Sequence, residues 1–421
     1  MKVPRQKSGG RVKNVAPFDR GEYQLRLHTV KSRMEHQGID TLILTDPANM
    51  NYVTGYDGWS FYVPQAVVVS QTLDEPLWIG RGQDANGARL TCWMHDDAIE
   101  PYADYYVQSM VRHPMDYVAE VVRKYRLDHG VIAVEMDAYY FSALSYQRLQ
   151  AGLPNARWVD AELLVNWVRL IKSNQEIHYI KQAADIVTHA MHTAMKSIRA
   201  GVREADAAGE IVRAQIQGTP LVAGDYPAIV PLIPSGIRTG AAHLTWVDRC
   251  YERGDALNIE IAGCVHRYHV PLSRSAVIGK PTAHLMDLAK VVVEGVDEAL
   301  AAVQVGRMTE DVDQAWQRVI QRYGYSKESR LGYSVGLNYP PDWGEHTASL
   351  RVGDKTVLET NMVFHLIAGM WLDGYGLEVS ESFRVTPFGA EVLANVERKL
   401  FVLDDEGDLG GTEWKLSLSG S

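Results

Sequence analysis

One order of patterns occurs twice in the second half of this chain, and that repeat restricts the fold more than any single motif. Ser173 and Glu176 form a capping box that opens a long helix. Ile177, Ile180, Ala184, Val187, Met191, Ala194 and Ile198 fall on one apolar face of it, and Gly201 ends it. A second helix is expected from about Glu204 to Gln215, followed by two strand-like stretches, ALNIEIAGC and HVPLSRSAVIG. From about residue 283 the plan returns: a long helix, Gly306, an acidic start at residues 309–313, a helix through Ile320, then NMVFHLIAGMWL and LEVSESFRVT. Helices with one apolar face need an apolar surface to cover, so two such units predict a curved sheet backed by four helices.

The first half reads differently. GEYQLRLHTVKSRMEHQG places Tyr23, Leu27, Val30 and Met34 at helical spacing before Gly38. Apolar runs at residues 41–46, 62–70, 76–80 and 130–137, with helical patterns such as HPMDYVAEVVRKY between them, predict a mixed α/β domain. The expected division is an N-terminal α/β domain over residues 1–165, a duplicated α+β domain over residues 166–405, and a loosely held Gly/Ser-rich tail at residues 406–421.

Composition narrows the function classes. Three cysteines, Cys92, Cys250 and Cys264, show neither paired spacing nor a CxxC unit, so neither a disulfide framework nor a zinc ribbon is expected, and a reducing cytoplasm fits. The first dozen residues are basic, but no apolar stretch follows them as a secretory signal would require. No run approaches the roughly 18 to 20 apolar residues of a membrane span. A net charge of -10 opposes phosphate-backbone binding. The expected partners therefore include neither nucleic acid nor a membrane.

The stretch SGIRTGAAHLTWVDRCYERGDALNIEIAGCVHRYHVPLSR, residues 235–274, resembles the central signature of the pita-bread superfamily of methionine aminopeptidase, prolidase and creatinase. GYSVG and SFRVTPFG follow in matching order. DPANMNYVTGYDGWSFYVPQ, RGQDANGA, HPMDY, GLNYPPDWGEH and GLEVSES are similar to the superfamily's ectoine hydrolases, and a branch containing a dimethylsulfoniopropionate lyase shares some of this phrasing. The resemblance implies a creatinase-like N-terminal α/β domain, a duplicated pita-bread domain and a homodimer whose N-terminal domain closes the partner's active site.

Metallopeptidases of this superfamily hold two cations with two Asp, one His and two Glu. Their motif falls here on Glu260, Pro271, Tyr333, Ile367 and Ser380. Proline and isoleucine cannot ligate a metal, so the expected pocket uses no metal and no cofactor. Ectoine is a cyclic amidine bearing a carboxylate. Its protonated amidinium carbon is electrophilic without a Lewis acid, and carboxylates would attract where a metal would repel.

Glu260 lies in the apolar run LNIEIAG, where an unpaired carboxylate costs several kcal/mol, so it is either paired structurally or functional. The resemblance makes it a candidate covalent nucleophile, and the match to creatinase makes His243 the proton carrier. His266, His269 and Arg274 are grouped as possible carboxylate holders on one strand face. His269, Tyr333, His365, Glu378 and Glu381 are the expected substrate contacts within the pita-bread domain. Trp59 and Phe61, in the aromatic loop GYDGWSFY, suit cation-π closure over a cationic substrate, with Trp343 a weaker candidate. The rival readings are a metal-dependent prolidase-type peptidase, a creatinase, a dimethylsulfoniopropionate lyase, and an inactive peptidase-like module that binds proteins.

Overall fold

The computed structural model describes residues 16–403, so the basic N-terminal arm and the Gly/Ser-rich tail lie outside the described residues. The rest divides into two compact units, the first ending at Arg169 and the second beginning at Leu170.

In the first unit, helix α1 (Arg20–His36) starts where the Asp19 side chain accepts the Glu22 N–H, 2.9 Å. It buries Tyr23, Leu27, Val30 and Met34, the positions that carry the periodicity. Then come β1 (Thr41–Leu44), α2 (Pro47–Thr54), β2 (Ala66–Ser70), β3 (Leu77–Arg81), α3 (Ala85–Thr91), β4 (Ile99–Tyr102), α4 (Pro114–Lys124), β5 (Val131–Val134), α5 (Ala143–Gly152), β6 (Arg157–Asp160) and α6 (Leu164–Arg169). The sheet order is β4-β3-β2-β1-β5-β6. β1 and β2 are antiparallel, whereas β1 and β5 are parallel, and Val, Ile and Leu fill the central strands because both faces are covered. RGQDANGA leads into α3, whose side chains Ala85 and Ala88 are buried.

In the second unit, α7 (Asn174–Ser197) has its capping box in place: Ser173 Oγ accepts the Glu176 N–H at 3.2 Å, and Glu176 Oε2 accepts the Ser173 N–H at 2.8 Å. α8 (Glu204–Gln217) follows, then the hairpin of β7 (Ala256–Val265) and β8 (Tyr268–Ile278). The plan recurs as α9 (Ala283–Ala301) and α10 (Thr309–Arg322). After β9 (Gly332–Val335) and β10 (Gly344–Leu350) comes the hairpin of β11 (Val363–Leu372) and β12 (Tyr375–Thr386), with β13 (Gly389–Val392) and β14 (Phe401–Leu403) at the edges. The strands form two sheets, β14-β8-β7 and β10-β9-β11-β12-β13.

α7 lies directly on the first hairpin. A Cβ at Gly263 would stand 1.9 Å from the Ala183 carbonyl oxygen, so only glycine lets the helix backbone come this close.

Candidate active site

Strand alternation sorts the candidates before any side chain is considered. Glu260 pairs with Ser273 across the first hairpin, and Ala262 with Pro271, which puts Glu260, Pro271, Ser273 and His269 on one face. On the second hairpin, His365 pairs with Ser382, Ile367 with Ser380 and Gly369 with Glu378, so these six share a face as well. Serines from the two groups form the seam where β8 and β12 run side by side. The Ser273 N–H donates to Ser380 Oγ at 2.6 Å, the Glu378 N–H to Ser275 Oγ at 2.8 Å, and the Ser382 hydroxyl to the Pro271 carbonyl at 2.7 Å. Short hydroxyls at every second position of SRS and SES make that seam possible.

Two carboxylates are buried together there. Glu260 is 7% exposed and Glu378 4%. Burial pushes the Glu260 carboxyl well above the usual carboxylate range, and the charges of Glu378 and Asp342 add to the rise. Burial also lifts Glu378, to about 7, against the opposing pull of the Ser273 hydroxyl and the Lys327 ammonium. Close carboxylates in a dry space cannot both ionise freely, so the pair holds a proton near neutrality.

Polar groups of fixed state surround the pair. Trp343 Nε1 donates to the Tyr333 hydroxyl at 2.9 Å. Burial, with Glu260 and Asp342 next in effect, raises the Tyr333 phenol, so it keeps a proton to donate. His365 Nε2 lies 2.8 Å from Ser380 Oγ, and burial, aided by Arg330, drives its imidazole down to about 3. His269 Nε2 accepts the Ala228 N–H at 2.9 Å, and burial with the Arg267 charge lowers it to about 4. Both imidazoles are therefore neutral. Asp342 stays ionised despite burial because His346, at 2.9 Å, and the Gly344 N–H, at 3.0 Å, hold its charged form. The Lys172–Glu345 ion pair, 2.7 Å and almost wholly buried, anchors the strand just beyond Asp342.

The residues do not fit the dinuclear centre that the fold family implies. Pro271 and Ile367 occupy ligand positions with no donor atom, and Tyr333 is held neutral. The Ser380 hydroxyl is engaged by the Ser273 N–H and His365. Among the described residues no group of three or more His, Cys, Asp or Glu side chains is arranged to hold a metal ion.

Several expectations change. Glu381 pairs with Leu366 on the opposite face of the hairpin from Glu378, fully buried against Arg274 at 2.6 Å, so it is not a substrate contact. Arg274 is structural by the same parity. It also donates to the Glu397, Ser380 and Val396 carbonyls at 2.6 to 2.7 Å. His266 lies in the hairpin turn with φ 48°, not on the strand face. His243 is exposed, with φ 62°, on the loop after the turn at Gly236–Gly240, outside the buried group. That turn nevertheless abuts the site strands: Asn258 Nδ2 donates to the Thr239 carbonyl at 3.3 Å and the Gly376 N–H to Thr239 Oγ1 at 3.2 Å.

Trp59 and Phe61 belong to the first unit, with ring centroids 4.9 Å apart, and Trp59 is 57% exposed. Trp343 is buried and serves Tyr333. Sequence reasoning missed Asp342 and Lys327. Asp342 sits within the quoted string GLNYPPDWGEH, a signal that was there to be read, whereas Lys327 had none.

The comparisons with known proteins agree with this architecture. Residues 178–387 match the family described as metallopeptidase family M24, and residues 26–171 match the creatinase/prolidase N-terminal domain. The chain is 45% identical to an ectoine hydrolase of Halomonas elongata over 92% of this chain and 98% of that protein. It is 43% identical to an uncharacterised hydrolase/peptidase of Sinorhizobium fredii, over 93% of this chain and all of that one. Among solved structures, a prolidase from Thermococcus sibiricus superposes with a TM-score of 0.78 at 18% identity, covering 90% of this chain and 99% of that one; at that identity the likeness concerns the fold alone.

Proposed function

Because this chain belongs to metallopeptidase family M24, in the branch with a creatinase/prolidase N-terminal domain, we propose that it is a hydrolase that opens the ring of ectoine without a metal. The observation that carries this reading is the buried Glu260/Glu378 pair on the strand faces shared with Pro271 and Ile367, two positions where the resemblance puts a metal ligand and this chain has no donor atom. Such a pair attracts an amidinium, and the amidinium in turn stabilises the ionised carboxylates, so the substrate supplies the positive charge that metal ions bring elsewhere.

In this reading a Glu260 oxygen attacks the amidinium carbon, forming a C–O bond. One ring C–N bond then breaks as the departing nitrogen takes a proton. Water opens the resulting glutamyl-linked imidate, and an N-acetylated 2,4-diaminobutyrate leaves. Tyr333 and the neutral His365 offer hydrogen bonds that do not compete with the carboxylates for charge, and His269 holds the 228 loop over the strand. The unit carrying the exposed Trp59, with Phe61 beside it, closes the partner's site in a homodimer, where an indole face suits a cation. Cysteines without disulfide bonds fit a cytoplasmic protein.

The test is incubation of purified protein with ectoine, with and without a strong chelator, followed by mass spectrometry. Acetylated diaminobutyrate formed equally in both supports the reading. Loss of product on chelation would remove the metal-free part of it. Turnover of a dipeptide, creatine or a sulfonium propionate in place of ectoine would reassign the substrate.

A further inference from the structure

We infer that Lys327 is a positioning residue for the carboxylate pair: its ammonium group keeps the negative charge on Glu378 and leaves the proton on Glu260. The inference rests on the reading of Glu260 and Glu378 as the reacting pair. Lys327 reaches in from the loop between α10 and β9. Its Nζ donates to the Gly369 carbonyl at 3.2 Å and to Ser329 Oγ at 2.6 Å, and lies 4.8 Å from the centre of the Trp371 ring. Gly369 is the β11 residue paired with Glu378, so the ammonium is fixed to the backbone one strand away from that carboxylate.

The charges on the two acids are unequal as a result. Facing Glu378 are Glu260 from β7, Ser273 from β8 and Lys327, a cation. The charges felt by Glu260 are both acidic, Glu378 and Asp342. Lys327 itself faces Glu378 from β12 and Asp313 from α10, both of which favour its charged form. Burial works the other way and lowers it to about 8, which leaves it largely charged at neutral pH. Its outer side lines a surface cleft of about 760 Å³ together with Asp313, Gln317, Arg318 and Arg351, so the ammonium sits between the buried pair and solvent.

This inequality gives each acid a different task. Ionised Glu378 takes the Glu260 proton as the cationic ring arrives, which frees Glu260 to form the C–O bond. Glu378 then hands that proton to the departing ring nitrogen as the C–N bond breaks, and the nearby ammonium makes it a readier donor. Each acid ends the step ionised or esterified, with no proton left over.

The experiment is a pH titration of substrate-free protein carrying glutamate labelled with carbon-13 at the side-chain carboxyl, with Glu378→Gln used to assign the Glu378 signal. Lys327→Met should move the Glu378 midpoint up by about one pH unit. Lys327→Arg, which keeps the charge, should leave it near the wild-type value. The acid limb of kcat/KM on ectoine should follow the same pattern, with a roughly tenfold loss in the Met variant on that limb. Lys327→Gln replaces the Met variant if the latter does not fold. An unmoved Glu378 midpoint in the uncharged variant, or the same shift in the Arg variant, overturns the inference. A wild-type protein that ignores ectoine overturns the proposed function instead, while the titration still decides the role of Lys327.

Discussion

Glu378→Gln should stabilise the substrate-free protein, and by an amount that depends on pH in a defined direction. The Glu378 carboxyl rises from an ordinary 4.5 to about 7 because folding removes it from water. Below 4.5 the folded and unfolded chains both hold the proton, and the group contributes nothing to pH dependence. Between 4.5 and 7 the unfolded chain releases its proton first, so stability falls as pH rises. Above 7 the loss is complete. At 1.36 kcal/mol per pH unit, the rise from 4.5 to about 7 corresponds to about 3 kcal/mol. Glutamine has the same shape and never ionises, so the variant escapes this penalty.

Urea unfolding of wild type and Glu378→Gln, run at about pH 4 and about pH 8, would measure it. The midpoints should nearly coincide at the acid end, and the variant should be the more stable by about 2 to 3 kcal/mol at the alkaline end. A variant that is less stable at the alkaline end, or a difference that does not change with pH, would refute the claim that an uncompensated carboxyl is stored in this pocket. Residues kept in spite of such a penalty are characteristic of sites selected for chemistry.

Arg274→Met should behave in the opposite way, costing about 3 to 5 kcal/mol by stranding Glu381 without its partner. Arg274→Met combined with Glu381→Leu should recover most of that loss in the same unfolding assay, and failure to recover would mean that the Arg274 bonds to the Ser380 and Val396 carbonyls matter more than the ion pair. Gly263→Ala should destabilise by about 1 to 3 kcal/mol through the clash with the Ala183 carbonyl, and a neutral result in thermal unfolding would show that α7 can shift outward freely.

The fold was legible where local chemistry and periodicity agreed. The Ser173/Glu176 box and the seven-residue apolar stripe could describe little other than α7. That Glu260 would be a buried carboxylate was legible because it lies in an apolar strand run.

The choice between Glu378 and Glu381 was not legible. In SESF a slip of one residue exchanges the two faces of β12, and only pairing with β11 fixes which acid faces the site. The group of His266, His269 and Arg274 fails on simpler grounds: His269 and Arg274 are five residues apart on β8 and so face opposite ways. His266 leaves the strand altogether, because the turn falls on His266 and Arg267, both at positive φ. Lys327 and Asp342 act from loops whose positions depend on β9, β10 and the Lys172–Glu345 pair. The string GLNYPPDWGEH marked the neighbourhood of Asp342, whereas nothing in the sequence announces Lys327.

In the proposed reaction a carboxylate side chain attacks an already cationic carbon. Rapid acid quench of the protein during turnover of ectoine, followed by peptide mapping, tests it directly. A substrate-derived mass increment on the peptide spanning Ala256–Val265, localised to Glu260 and missing from Glu260→Gln, is the predicted result. Full turnover by Glu260→Gln, or an unmodified Glu260 peptide in the working enzyme at every quench time, would contradict it.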